Sequence, residues 1–241
     1  MAKPGADTGH DPALDGLRGI AILLVLLMHT VHFANTSPLW AMVNGVAAAG
    51  WIGVDLFFVL SGFLITRVLL DLQPAENRLA VFYGRRALRI LPGYCVTLLV
   101  AVPLVLWLSP PHIAALMRDT LPWFLVFGQN FYGAWSPPGD GWLPVAQLWS
   151  LAVEEQFYLL WPLLVWGLSR KKLANMSLAL AAVAVVCKLV MVWMDAPLQA
   201  PYVLPFTRMD CLTAGALLAV RQHQVPGAGA GWPARLLPWL A

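Results

Sequence analysis

Charge is what this sequence has least of. Only 11% of the 241 residues are Asp, Glu, Lys or Arg, while 60% are hydrophobic and the mean hydropathy is +0.71. A water-soluble domain carries roughly 25% charged residues, so water is not the expected solvent for most of this surface. Alternating apolar and polar segments are also missing. The apolar runs are long and continuous, which excludes a transmembrane barrel and leaves helices. Cysteine is scarce: Cys95, Cys187 and Cys211 lie far apart in apolar stretches, as small buried hydrophobes do, and no C-x-x-C or Cys/His spacing suggests a structural metal. The opening residues have no basic stretch followed by a cleavage site, so no removable leader is expected and residues 1–13 read as a short cytoplasmic tail. No internal repeat or soluble domain is evident. The fold class is therefore all-α, a polytopic transmembrane helix bundle.

Apolar runs near the ~20 residues that cross a hydrocarbon core place spans at 14–33, 50–70, 90–108, 147–168, 173–194 and 206–220, and another begins at 232–241. That makes about seven. Segment 71–89 holds Arg78, Arg85, Arg86 and Arg89 and reads as the strongest basic loop, so the positive-inside rule puts it and the amino terminus in the cytoplasm. Arg170, Lys171 and Lys172 put the end of span 147–168 on the same side. The net charge of +3 is thus orientation information, and no nucleic-acid partner is implied. Residues 35–44 read as a polar, Pro-containing connection. Residues 112–146, with Arg118, Asp119, Asp140 and many Pro and Gly, fit a re-entrant or interfacial segment better than a crossing. Residues 227–231 read as a Gly/Ala-rich loop. An apolar ending after half a span suggests a chain that stops early, so residues 14–241 are expected to form one partial membrane domain.

The first span carries the clearest chemistry. Only Gly, Ile, Ala, Leu, Val and Met separate Arg18 from His29. Eleven residues at 100° each return His29 to within about 20° of the Arg18 face, about 16 Å along the helix. Ionisable groups inside a span are functional candidates by default. A second cluster, Glu154 and Glu155, sits early in span 147–168. It could simply complement a helix N-terminus. With the orientations above, however, Glu154 and His29 both fall about 6 to 8 Å below the outer surface, a depth at which a carboxylate can orient an imidazole and raise its basicity. Arg18, Arg67, Arg85, Arg86 and Arg89 are expected near the cytoplasmic face, where guanidinium groups can grip phosphates with paired hydrogen bonds or meet anionic headgroups. Asp55 and Ser61 lie mid-span and are expected to serve helix packing. A metal site at His29 and His32 has no carboxylate at suitable spacing, so no metal is expected. A cationic mouth, a base near the outside and about 16 Å between them suit a long donor with a phosphorylated end, and coenzyme A thioesters have that shape.

Five segments carry a resemblance. Residues 14–21 (LDGLRGIA) followed by His29, residues 50–66 (GWIGVDLFFVLSGFLIT), residues 82–92 (FYGRRALRILP), residues 149–158 (WSLAVEEQFY) with Trp161 and Pro162, and residues 208–216 (RMDCLTAGA) occur in this order. Together they resemble the membrane acyltransferase-3 family. The resemblance implies a multi-pass O-acyltransferase of the bacterial cytoplasmic (inner) membrane, with no permanently bound cofactor. Such enzymes move an acyl group, often acetyl, from cytoplasmic acyl-CoA (acetyl-CoA) to a hydroxyl of a carbohydrate or small molecule. The family's catalytic histidine and arginine fall on His29 and Arg18, and its glutamate on Glu154 or Glu155. Arg18, Arg85, Arg86 and Arg89 would hold the donor. Relatives have about ten spans, so an inactive remnant or a non-catalytic subunit is the alternative. A transporter would show repeat symmetry, and none is evident.

Overall fold

A computed structural model describes residues 12–31, 37–73, 76–135, 143 and 145–224. Among the described residues all regular structure is helical and no strand occurs. The helices are α1 (Pro12–Thr30), α2 (Pro38–Ala48), α3 (Ile52–Asp71), α4 (Arg78–Leu108), α5 (Pro111–Leu125), α6 (Gln129–Trp135), α7 (Trp149–Gly167), α8 (Arg170–Trp193), α9 (Ala200–Val203) and α10 (Pro205–Gln224). Five helical stretches are long and apolar enough to cross a membrane: Pro12–Thr30, Pro38–Asp71, Arg78–Leu108, Arg170–Trp193 and Ala200–Gln224. Helix α7 has the length, but Glu154, Glu155 and Gln156 in succession lower its hydropathy. The expected span at 232–241 and the loop at 227–231 lie outside the described residues.

Two expected loops are helical instead. The 35–44 connection becomes α2 from Pro38, because Ser37 accepts a hydrogen bond from the Trp40 amide as N-cap and proline at the first helical position needs no donor. The basic segment 78–89 is the first third of α4, a helix of 31 residues. Charge alone suggested a loop, yet its Leu, Ala, Phe and Arg residues are compatible with a helix, and burial of Phe82 against Trp166 anchors it. Pro92 and Pro103 lie within α4, as membrane-length helices tolerate. In the 112–146 region, α5 and α6 have 15 and 7 residues, each too short to span a bilayer alone.

The chain divides into two compact units, with the boundary after Leu60. In the first, α1 lies against the start of α3. A Cβ on Gly50 would sit 2.3 Å from the Leu24 carbonyl oxygen, and one on Gly53 2.6 Å from that of Ala21, so only glycine permits this approach.

The second unit, Ser61–Gln224, places α3 and α7 side by side in the same direction. Ser61 meets Glu154, Thr66 meets Trp161, and Leu69 meets Trp166, so residue numbers rise together. Helix α4 runs the opposite way along α7: Phe82 lies near Trp166, Tyr83 bonds to the Leu159 carbonyl, and Arg86 meets Glu155. One apolar core is formed by Tyr94, Leu98 and Val105 of α4, Met117 and Phe124 of α5, and Leu143 with Val145. Helix α10 packs on α8 across an ion pair of Lys188 and Asp210. Val96, Leu99 and Trp107 of α4 and Leu189 and Trp193 of α8 stay exposed, the surface a hydrocarbon solvent would cover.

Candidate active site

On α1, Arg18 forms an ion pair with Asp15, one turn earlier, at 3.3 Å. His29 lies in the last turn, exposed, with Nδ1 2.8 Å from the Val25 carbonyl oxygen. A carbonyl can only accept, so Nδ1 carries the hydrogen, and in the neutral ring Nε2 then keeps its lone pair. The bond therefore selects the tautomer in which Nε2 can take a proton. Arg18 and His29 both belong to the first unit. His32 lies outside the described residues.

The two glutamates belong to the second unit, where α3, α4 and α7 bring four side chains together. Glu154 is 4% exposed, and its Oε1 accepts a 2.5 Å hydrogen bond from the Ser61 hydroxyl. Its Oε2 lies 3.9 Å from Arg86 Nη2. The next residue, Glu155, takes most of the Arg86 guanidinium, for Nε and Nη2 both donate to its Oε1 at 3.2 Å. Arg86 Cζ sits 3.4 Å from the Tyr158 ring centre, a close cation–π contact. Consecutive residues on a helix diverge by 100°, so the two carboxylates reach one arginine only because it enters from α4 between them. Two carboxylates and one guanidinium leave a formal excess of one negative charge if all are ionised.

Arg86 therefore meets carboxylates, a partner its place in a basic run did not announce. Arg85 and Arg89 are exposed on the same helix. Because α4 starts at Arg78, the four arginines climb the helix over about 16 Å instead of gathering in one loop. A separate set of groups meets where α3 ends. Arg78 donates to the Gln73 carbonyl at 3.0 Å, Arg170 to Gln73 Oε1 at 3.2 Å, and His223 lies 3.9 Å from Asp71.

Spacing along the segments predicts packing for Ser61 and no role for Tyr158. Their closeness to Glu154 depends on how α3 docks on α7, which spacing within either segment cannot show. Another polar group also emerged. Asn130 is fully buried and exchanges hydrogen bonds with Gln156, whose amide also donates to the Phe127 carbonyl. Arg208, 3% exposed, lies 4.5 Å from the Tyr202 ring centre and 5.9 Å from that of Trp149. Asp55 remains within α3 at its first turn. Among the described residues no group of three or more His, Cys, Asp or Glu could hold a metal.

Comparisons with known proteins bear on the same residues. A family model described as "Acyltransferase domain" matches residues 11–241. The peptidoglycan O-acetyltransferase OatA of Listeria monocytogenes is 35% identical over 161 residues, covering 63% of this chain and 23% of that protein. A Bacillus subtilis protein named "Putative peptidoglycan O-acetyltransferase YrhL" is 35% identical over 191 residues, covering 75% of this chain and 28% of its own length. The chain thus spans about a quarter of the length of these curated relatives. No solved structure matches it. With a family match over nearly its whole length and an all-helical fold, the chain belongs to the membrane acyltransferase-3 family.

Proposed function

We propose that the chain is the core of a membrane O-acyltransferase that carries an acyl group, acetyl in the first instance, from acyl-CoA to a hydroxyl of a carbohydrate. The observation that carries this reading is the Ser61–Glu154–Arg86–Glu155 cluster, because charged groups removed from water in an apolar bundle are costly and mark function. Family membership supports the reaction class, and the relatives named as peptidoglycan O-acetyltransferases support a glycan of the cell envelope as acceptor. The donor is a consumed substrate, and no resident cofactor is invoked.

In this reading His29 Nε2 takes the proton of the acceptor hydroxyl. The oxygen then attacks the thioester carbonyl, the C–O bond forms as the C–S bond breaks, and the proton passes to the departing thiolate. Arg18 would polarise the thioester or hold donor phosphates, with Arg85 and Arg89 as further phosphate ligands. Glu154 or Glu155 would be the catalytic carboxylate of this reading.

The protein would be an integral, multi-pass component of a bacterial cytoplasmic membrane. Residues 1–13 would be a cytoplasmic tail and 14–241 one membrane domain, with α7 as a further crossing and 112–146 re-entrant. The test is transfer of label from acetyl-CoA to glycan in membranes carrying this chain. His29→Ala should reduce transfer at least about 100-fold at unchanged protein level. Undiminished transfer by that variant would remove His29 from the mechanism.

A further inference from the structure

We infer that Ser61 is a positioning residue for Glu154, and that Arg86 holds the same carboxylate from its other side. The inference rests on the acyltransferase reading above and deepens it by saying what Ser61 and Arg86 do to Glu154 within that cluster.

Three observations lead to it. First, the Ser61 hydroxyl has a choice of partners. In a helix, Ser and Thr often turn back to a carbonyl in the preceding turn, as Thr66 does with Gly62 at 2.7 Å and Thr97 with Gly93 at 2.8 Å. Ser61 donates across to α7 instead, to Glu154 Oε1. Second, that contact requires close approach of α3 within its own unit. The next residue, Gly62, lies so near α10 that a Cβ would come 1.9 Å from the Leu212 carbonyl oxygen, so this turn of α3 has little freedom to withdraw. Third, the opposite oxygen of Glu154 faces Arg86, which is itself restrained by two bonds to Glu155 and by the Tyr158 ring. Tyr158, whose ring carries Arg86, stands one turn after Glu154.

Glu154 is thus held at both oxygens by groups from two different helices. A carboxylate on a flexible side chain gains catalytic value when its direction is fixed before the substrate arrives. Ser61 contributes a directional bond, whereas Arg86 at 3.9 Å contributes charge more than direction. Loss of Ser61 should therefore weaken the chemical step while leaving donor binding alone. A residue that only packed helices would not produce that division.

The experiment compares wild type, Ser61→Ala, Glu154→Gln and the double variant for labelled acetyl transfer in membranes, with thermal midpoints in detergent as the measure of folding. Ser61→Ala should lower kcat by at least about tenfold, the value of a hydrogen bond to a charged group, with KM for acetyl-CoA changed less than about twofold and the midpoint close to wild type. Adding Ser61→Ala to Glu154→Gln should cost little more, since a positioning residue loses its effect once its target is gone. Glu154→Gln inactive but Ser61→Ala with wild-type kcat would overturn the inference and leave the reading of Glu154 intact. Multiplicative losses in the double variant would also overturn it. Full transfer by Glu154→Gln, or none by wild type, would overturn the functional reading itself, and the assignment of Ser61 with it.

Discussion

At the scale of single residues, Arg86 is the side chain whose meaning changed most. In the sequence it is one of several arginines beside an apolar run, and phosphate binding is the natural reading. In the fold its guanidinium faces two carboxylates and an aromatic ring. Arg86→Ala would leave the buried Glu154 with Ser61 as its remaining partner and the half-buried Glu155 without its cation. It should destabilise the protein by about 3–5 kcal/mol, measured as a lower thermal midpoint by tryptophan fluorescence in detergent. Adding Glu155→Gln to that variant should recover part of the loss. Arg86→Lys keeps the charge but cannot supply two donors in one plane, so its midpoint should fall between those of wild type and Arg86→Ala. The type and position of Glu154, Glu155 and His29 were legible in the sequence because ionisable residues stand out against an apolar background. Ser61 was not, since serine in an apolar helix usually has a bland role, and its partner is 93 positions away.

At the scale of helices, periodicity and hydropathy locate the long apolar elements, and the structure departs from expectation at 35–44, where polar residues and proline suggest a break, and at 78–89, where charge does. Segment 78–89 is helical because nothing in it prevents helix formation, and a basic face on a helix can project from an apolar bundle as readily as a basic loop can. Glycines separate two kinds of site. Gly62 lies under the Leu212 backbone, so Gly62→Ala should force α3 and α10 apart and lower stability by about 1–3 kcal/mol or more. Gly84, exposed in α4, has nothing within 4 Å of where a Cβ would be, so Gly84→Ala should be neutral or raise stability by up to about 1 kcal/mol. Thermal midpoints of the two variants, side by side, check this contrast. Equal effects would mean that the Gly62 crossing does not set the distance between those helices.

At the scale of the whole molecule, the question is which ends of the helices share a side of the membrane. Charge bias put the segments after α3 and after α7 together in the cytoplasm. The parallel run of α3 and α7 puts those two ends on one side, where Arg170 reaches Gln73. A cysteine placed at Lys171 in a background lacking Cys95, Cys187 and Cys211 should react with an impermeant thiol reagent only when the cytoplasmic side is open. Labelling from the outer side would reverse the orientation expected from the charge bias. The sequence by itself determined the solvent, the helical class, the long apolar elements, the family and the identities of the ionisable residues, because each follows from composition or from order along one segment. Tertiary structure alone decided that Arg86 meets both glutamates and that Ser61 meets Glu154. Those contacts join residues on different helices, and their distances are set by how α3, α4 and α7 pack, which no single segment encodes.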